Sequence, residues 1–180
     1  MTAGTTQAQA HLRSKYDALT AANRIQTAED CIDPAKRSPM ALVYLDLDGF
    51  KQINDIHGHG AGDKVLQHVS VHILESVRRT DVVARLGGDE FVIVLPGVGE
   101  LAEARRIADL VAAAIARPLA YGGRELRIGA SFGISVYPAD GDNTDALLKI
   151  TDEDMYRAKL EHRKLQASAA NQPTGAVFAA

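Results

Sequence analysis

The chain has 180 residues, 46% of them hydrophobic and 24% charged, with a formal net charge of −3. That is the make-up of one ordinary globular domain with ample core material, and it leaves no electrostatic footprint for a nucleic acid polymer or an anionic membrane. Its single cysteine, Cys31, excludes an internal disulfide and fits a reducing, cytoplasmic setting, and no apolar run approaches the ~20 residues of a membrane segment.

Met1–Ala10 is rich in Thr, Ala and Gln and lacks the apolar centre of a secretory signal. From Ala8 to Leu19 the spacing of Leu12, Tyr16 and Leu19 predicts an amphipathic helix, and Thr20 could cap a second one through Ile32. Asp33-Pro34 and Ser38-Pro39 break helical structure. Ala41–Leu47 is a continuous apolar run and reads as a buried central strand; Asp46 near its end is costly to bury unless it is paired or metal-bound. After the Asp48-Gly49 turn and Phe50–Asp55, a Gly/His loop from His57 to Asp63 is expected. A helix should follow, with Leu66, Val69, Ile73 and Val77 on one stripe and Asp63 at its positive N-terminal end.

Val82–Ala84 and Val92–Leu95 are β-branched runs, and Gly87-Gly88 between them predicts a tight hairpin with Asp89 and Glu90 at its tip. A helix over Glu100–Ala116 should face Leu101, Ala104, Ile107 and Val111 inward. Arg117-Pro118 stops it. A short strand and a turn at Tyr121–Arg124 then lead into Arg124–Tyr137, whose near-strict alternation predicts a strand exposed on one face. The last helix spans about Thr144–Lys164. This order predicts an α+β fold, a ferredoxin-like βαββαβ sheet covered by helices on one face, with N-terminal and C-terminal helices added. Strand one and the hairpin would then be neighbours, with Asp46 beside Asp89 and Glu90.

Adjacent carboxylates on a turn repel, so either the turn is merely solvated or a positive group sits there, most simply a hard divalent cation. There are no cysteine clusters and no helical histidine pair for zinc; His57 and His59 more simply order the glycine-rich loop. Lys159 and Arg163, four apart on the last helix, could hold a triphosphate with magnesium or could only satisfy a helix end. Phosphoryl or nucleotidyl transfer needs little beyond such positioning and neutralisation. No Gly-Lys-Ser/Thr occurs, which excludes a P-loop enzyme.

Gly87-Gly88-Asp89-Glu90-Phe91 carries a further signal. Together with Asp46–Lys51, Ile53-Asn54-Asp55, Gly58-His59, Gly62-Asp63 and Met155–Lys159, it closely resembles the GGDEF-domain diguanylate cyclases in order and spacing, from about Asp17 to Arg163. The resemblance implies a palm-like catalytic domain over residues 17–165, an N-terminal extension or linker helix over 1–16 and a flexible tail over 166–180. It implies Mg2+- (or Mn2+-) dependent condensation of two GTP into cyclic di-GMP across a two-fold homodimer, with a fused or associated sensor domain possible. Asp46, the Leu47 carbonyl and Asp89 would hold the metal, with Glu90 alongside; Asp89 or Glu90 would help deprotonate the 3′-hydroxyl. Asn54, His59 and Asp63 would meet the guanosine, and Lys51, Lys159 and Arg163 the phosphates. Phe50 and the turn before it would bring backbone N–H groups to the phosphates. Arg78 and Asp81 match the family's RxxD product-binding inhibitory site. His162 stands where a glycine is common, and Thr151 where an alanine is; either could shift Arg163. A non-catalytic GTP or cyclic di-GMP binding module is the alternative.

Overall fold

The computed structural model describes residues 38–170, with the backbone alone at positions 144, 163 and 165–170. The two helices expected before Asp33 lie outside the described residues. The elements are β1 (Met40–Asp48), α1 (Phe50–His57), α2 (His59–Ser76), β2 (Val82–Gly87), β3 (Glu90–Pro96), α3 (Leu101–Ile115), β4 (Leu119–Tyr121), β5 (Arg124–Leu126), β6 (Gly129–Tyr137) and α4 (Thr144–Ala170). Four strands form one sheet in the order β2-β3-β1-β6, and every neighbouring pair is antiparallel. This is the expected βαββαβ order, with the small β4–β5 hairpin inserted before the last strand.

The central strand β1 is buried on both sides. Its odd-numbered residues Ala41, Val43, Leu45 and Leu47 enter the larger core, with Val65, Val69 and Ile73 of α2 and Val111 and Ile115 of α3. Its even-numbered residues Met40 and Leu42 form a second, smaller core with Val92, Val94, Tyr137 and Leu147. Leu147 belongs to α4, so helices cover both faces of the sheet, not one. The N-terminus of α4 is capped by Asn143, whose Oδ1 accepts the Ala146 N–H at 2.9 Å.

The same layer explains β6. The face predicted to meet solvent carries Ser131, Gly133 and Ser135, and all three are buried. They are small because α4 lies directly on them. A Cβ at Gly133 would run into the Thr151 carbonyl and the Met155 backbone nitrogen. Thr151 is itself fully buried; its hydroxyl donates to the Leu147 carbonyl at 2.6 Å and lies 2.7 Å from Ser135 Oγ.

Three other expectations change. The Gly/His segment is helical: α1 runs to His57, Gly58 separates the helices, and α2 starts at His59. Gly58 takes a positive φ of 82°, and Gly62 serves close approach, since a Cβ there would collide with the Asn54 side chain. Asp63 therefore sits past the first turn of α2, beyond the strongest part of the helix dipole. Leu101 is 51% exposed, and the inward stripe of α3 starts at Ala104. The last helix continues to Ala170.

Candidate active site

The register builds the site. Asp46 lies directly opposite Glu90 across β1–β3 and directly opposite Ser131 across β1–β6. Opposed residues of an antiparallel pair share a face, here the face under α4. The hairpin closes at Gly88 and Asp89, where Gly88 takes φ 51°. The Leu47 N–H donates to the Asp89 carbonyl at 3.2 Å, which ties the tip to the end of β1. Arg85 donates through Nε and Nη2 to the Gly88 carbonyl, at 2.9 and 2.7 Å. That fork holds the turn by its Gly88 carbonyl.

Asp46 is only 8% exposed. Burial raises its carboxyl above the ordinary carboxylate range; the hydrogen bond and charge of Lys159 oppose this, and the charges of Asp89 and Glu90 add to it. Lys159 Nζ lies 2.8 Å from Asp46 Oδ2. Glu90 accepts a hydrogen bond from the Tyr44 hydroxyl at 3.1 Å. Burial, and then Glu90, push the Tyr44 phenol far upward, so it stays a donor. An open groove of about 610 Å³ runs along this edge, lined by Glu90, Asp152, Met155, Tyr156 and Lys159 among others.

The candidate metal donors are thus hard oxygens at one end of β1 and the hairpin, with the Lys159 ammonium against Asp46. That chemistry fits a hard divalent cation such as Mg2+. Among the described residues no group of three or more His, Cys, Asp or Glu side chains converges tightly enough to hold an ion. Lys159 stands on Asp46 instead.

Asn54 of α1 is half-buried against Gly62, and Asp63 follows that contact on an exposed part of α2; His59 starts the same helix and is exposed. These three candidates therefore gather at the α1–α2 junction. The Phe50 side chain is buried in the core, while Lys51 is exposed. Arg163 lies on α4 one turn beyond Lys159. Arg78 and Asp81 form a turn after α2: the Arg78 N–H donates to Asp81 Oδ2 at 2.7 Å, and the Asp81 N–H donates to the Arg78 carbonyl at 3.0 Å. The Arg78 guanidinium reaches Glu103 Oε1 at 3.3 Å.

Sequence reading missed Tyr44, Ser131 and the fork made by Arg85. A strand tyrosine and a strand serine carry no signal of their own until the register is known. Arg85 stands three residues before the turn carbonyl it holds, and that spacing was available.

Residues 14–165 match the family described as "Diguanylate cyclase, GGDEF domain". The chain is 42% identical over 123 residues to the bifunctional diguanylate cyclase/cyclic di-GMP phosphodiesterase MucR of Pseudomonas aeruginosa, covering 68% of this chain and 18% of that one. It is 41% identical over 128 residues to the diguanylate cyclase TpbB of Pseudomonas aeruginosa, covering 71% and 29%. The chain therefore spans less than a third of the length of these relatives. The crystal structure of the TpbB (YfiN) GGDEF domain superposes with a TM-score of 0.75 at 36% identity, covering 79% of this chain and 90% of that domain.

Proposed function

Because this chain belongs to the family of GGDEF-domain diguanylate cyclases, we propose that it condenses two GTP into cyclic di-GMP and two pyrophosphates. The observation that carries this reading is Asp46 set opposite Glu90 in register, with the Asp89 turn tied to the end of the same strand. In the reaction each 3′-hydroxyl oxygen forms a bond to the α-phosphorus of the other GTP. The bond from that phosphorus to the bridging oxygen breaks, and pyrophosphate leaves with the electron pair.

Asp89 or Glu90 takes the 3′-hydroxyl proton. The Tyr44 donor holds Glu90 in place for that role, or beside it. Asp46, the Leu47 carbonyl, Asp89 and Glu90 would hold Mg2+ (or Mn2+), which when bound polarises the phosphoryl oxygens and neutralises the leaving group. Lys159 exchanges Asp46 for phosphate oxygens; Lys51, Arg163 and the backbone around Phe50 complete the phosphate clamp. Asn54, with one amide donor and one acceptor, and the acceptor Asp63 suit the guanine edge, with His59 near the ribose. One domain holds one GTP, so the working unit is a two-fold pair, and product binds back at Arg78 and Asp81. A cytosolic location belongs to the same reading; among the described residues no helix is long and apolar enough to cross a membrane. The N-terminal residues 1–16 would lead to a sensor or dimerising partner.

Incubation with GTP and Mg2+, with products read by mass, tests this. The rate of cyclic di-GMP formation is expected to rise more steeply than linearly with protein concentration. Asp89→Ala is expected to lose at least about a hundredfold in rate with an unchanged far-UV spectrum. An inactive wild type that still binds GTP or cyclic di-GMP would make the domain a regulatory binding module. An active Asp89→Ala variant would remove the site assignment.

A further inference from the structure

Asp46 and Asp48 are two apart on β1 and so share the face that α4 covers. Lys159 and His162 are three apart on α4 and so share the face turned to the sheet. The two pairs meet: Lys159 reaches Asp46 at 2.8 Å, and His162 Nδ1 lies 3.0 Å from Asp48 Oδ2. Ser131 of β6 closes the second contact. Its hydroxyl donates to Asp48 Oδ1 at 2.8 Å and lies 3.3 Å from His162 Nδ1.

The composition Ser-His-Asp is not a nucleophile relay here. Both partners meet the same ring nitrogen, so no proton can pass from hydroxyl through imidazole to carboxylate. Ser131 is also fully buried, out of reach of a substrate. What the contact does is hold α4 to the end of β1.

That hold matters because the other tie is temporary. On the cyclase reading above, on which this inference rests, Lys159 must leave Asp46 to neutralise phosphate. Among the described residues of α4 beyond Lys159, the tie that then remains to the sheet is the second one. We propose that His162 is a positioning residue: through Asp48 and Ser131 it fixes this part of α4 while Lys159 changes partners. It thereby keeps Lys159 and Arg163 in reach of the triphosphate. The feature belongs to this chain, since a glycine at position 162 could not make the contact. His162 is half-exposed and Asp48 less so, which makes the expected effect modest.

Steady-state kinetics of the full chain with GTP and Mg2+ test the role. His162→Ala is expected to raise KM for GTP about three- to tenfold while kcat falls by less. His162→Asn, whose side-chain amide can donate to Asp48, is expected to recover most of the loss. Adding Ser131→Ala to His162→Ala should raise KM little further, because both belong to one network. Without any nucleotide, amide hydrogen exchange of residues 155–162 is expected to quicken in His162→Ala. An active wild type whose His162→Ala variant keeps its KM overturns the positioning role alone, even if its melting temperature falls. An inert His162→Asn, no better than Ala, overturns it as well. A wild type that makes no cyclic dinucleotide overturns the cyclase reading, and the positioning role falls with it.

Discussion

Asp46 is held between opposing pulls. Burial first, and then the charges of Asp89 and Glu90, favour its neutral form; Lys159 favours its charged form, and the balance leaves the carboxyl raised. An ionised Asp46 therefore costs the folded state stability at neutral pH, as polar groups kept for chemistry often do. Asp46→Asn keeps an acceptor for Lys159 and removes the charge. It is expected to abolish turnover and to raise the melting temperature near pH 7.5. Below the ordinary carboxylate range both states of the wild type are protonated, and the two proteins should melt alike. As pH rises, the unfolded chain ionises first, so the wild type falls behind and stays behind above the raised value. A melting gain that is absent at neutral pH, or that grows on acidification, would contradict this account. The acids themselves were legible in the sequence, because a carboxylate at the end of an apolar strand and two on a turn are unusual on their own. Their companions Tyr44 and Ser131 were not. Each becomes part of the site only by standing across from, or beside, a residue far away in the chain.

At the scale of elements, α4 is placed by a lane of small residues on β6: Ser131, Gly133 and Ser135. Gly133 is the point of closest approach, with no room for a methyl group under α4. Gly133→Ala is expected to destabilise the domain by about 1–3 kcal/mol through overpacking, and to weaken GTP binding because Lys159 moves with the helix. Urea unfolding checks the first part; an unchanged midpoint would mean that α4 does not sit where described. The outer edge of β6 is closed as well. The Ile134 N–H donates to Asp154 of α4 at 3.0 Å, and the Val136 N–H donates to Asp140 at 2.7 Å. Two acids thus occupy backbone donors that an edge strand would otherwise present to another chain. Alternation along β6 announced a strand correctly but not its second covering layer. Serine and glycine look the same in a pattern whether they face water or a helix backbone.

Across the whole molecule the two proposed nucleotide sites lie at opposite ends of β2. Asp81 immediately precedes the strand and the turn that carries Asp89 follows it. At about 3.3 Å per residue the separation is roughly 20 Å, too far for one ligand to bridge both within a single domain. Product bound at Arg78 would have to compete with Glu103 for the guanidinium. That pair is exposed and weak, so competition would cost little. Arg78→Ala is expected to relieve inhibition by cyclic di-GMP at least about tenfold and to leave the initial rate near that of the wild type. An inhibition curve identical to the wild type's would remove the RxxD assignment.

The βαββαβ order, the hairpin and its acidic turn followed from the sequence alone, because each rests on a local rule; the helix Phe50–His57 and the division of Arg124–Tyr137 into β5 and β6 did not. Side chains alternate along a strand, recur every three to four residues on a helix, and vanish at a glycine turn. Sequence spacing put Lys159 and Arg163 on one helical face. Only the tertiary structure put Lys159 on Asp46, His162 on Asp48, and α4 on the opposite side of the sheet from α2 and α3. It also turned the Gly/His segment into the start of a helix, where Gly62 makes room for Asn54. Those outcomes depend on which surfaces are small enough to meet, and that is decided between residues far apart in the chain.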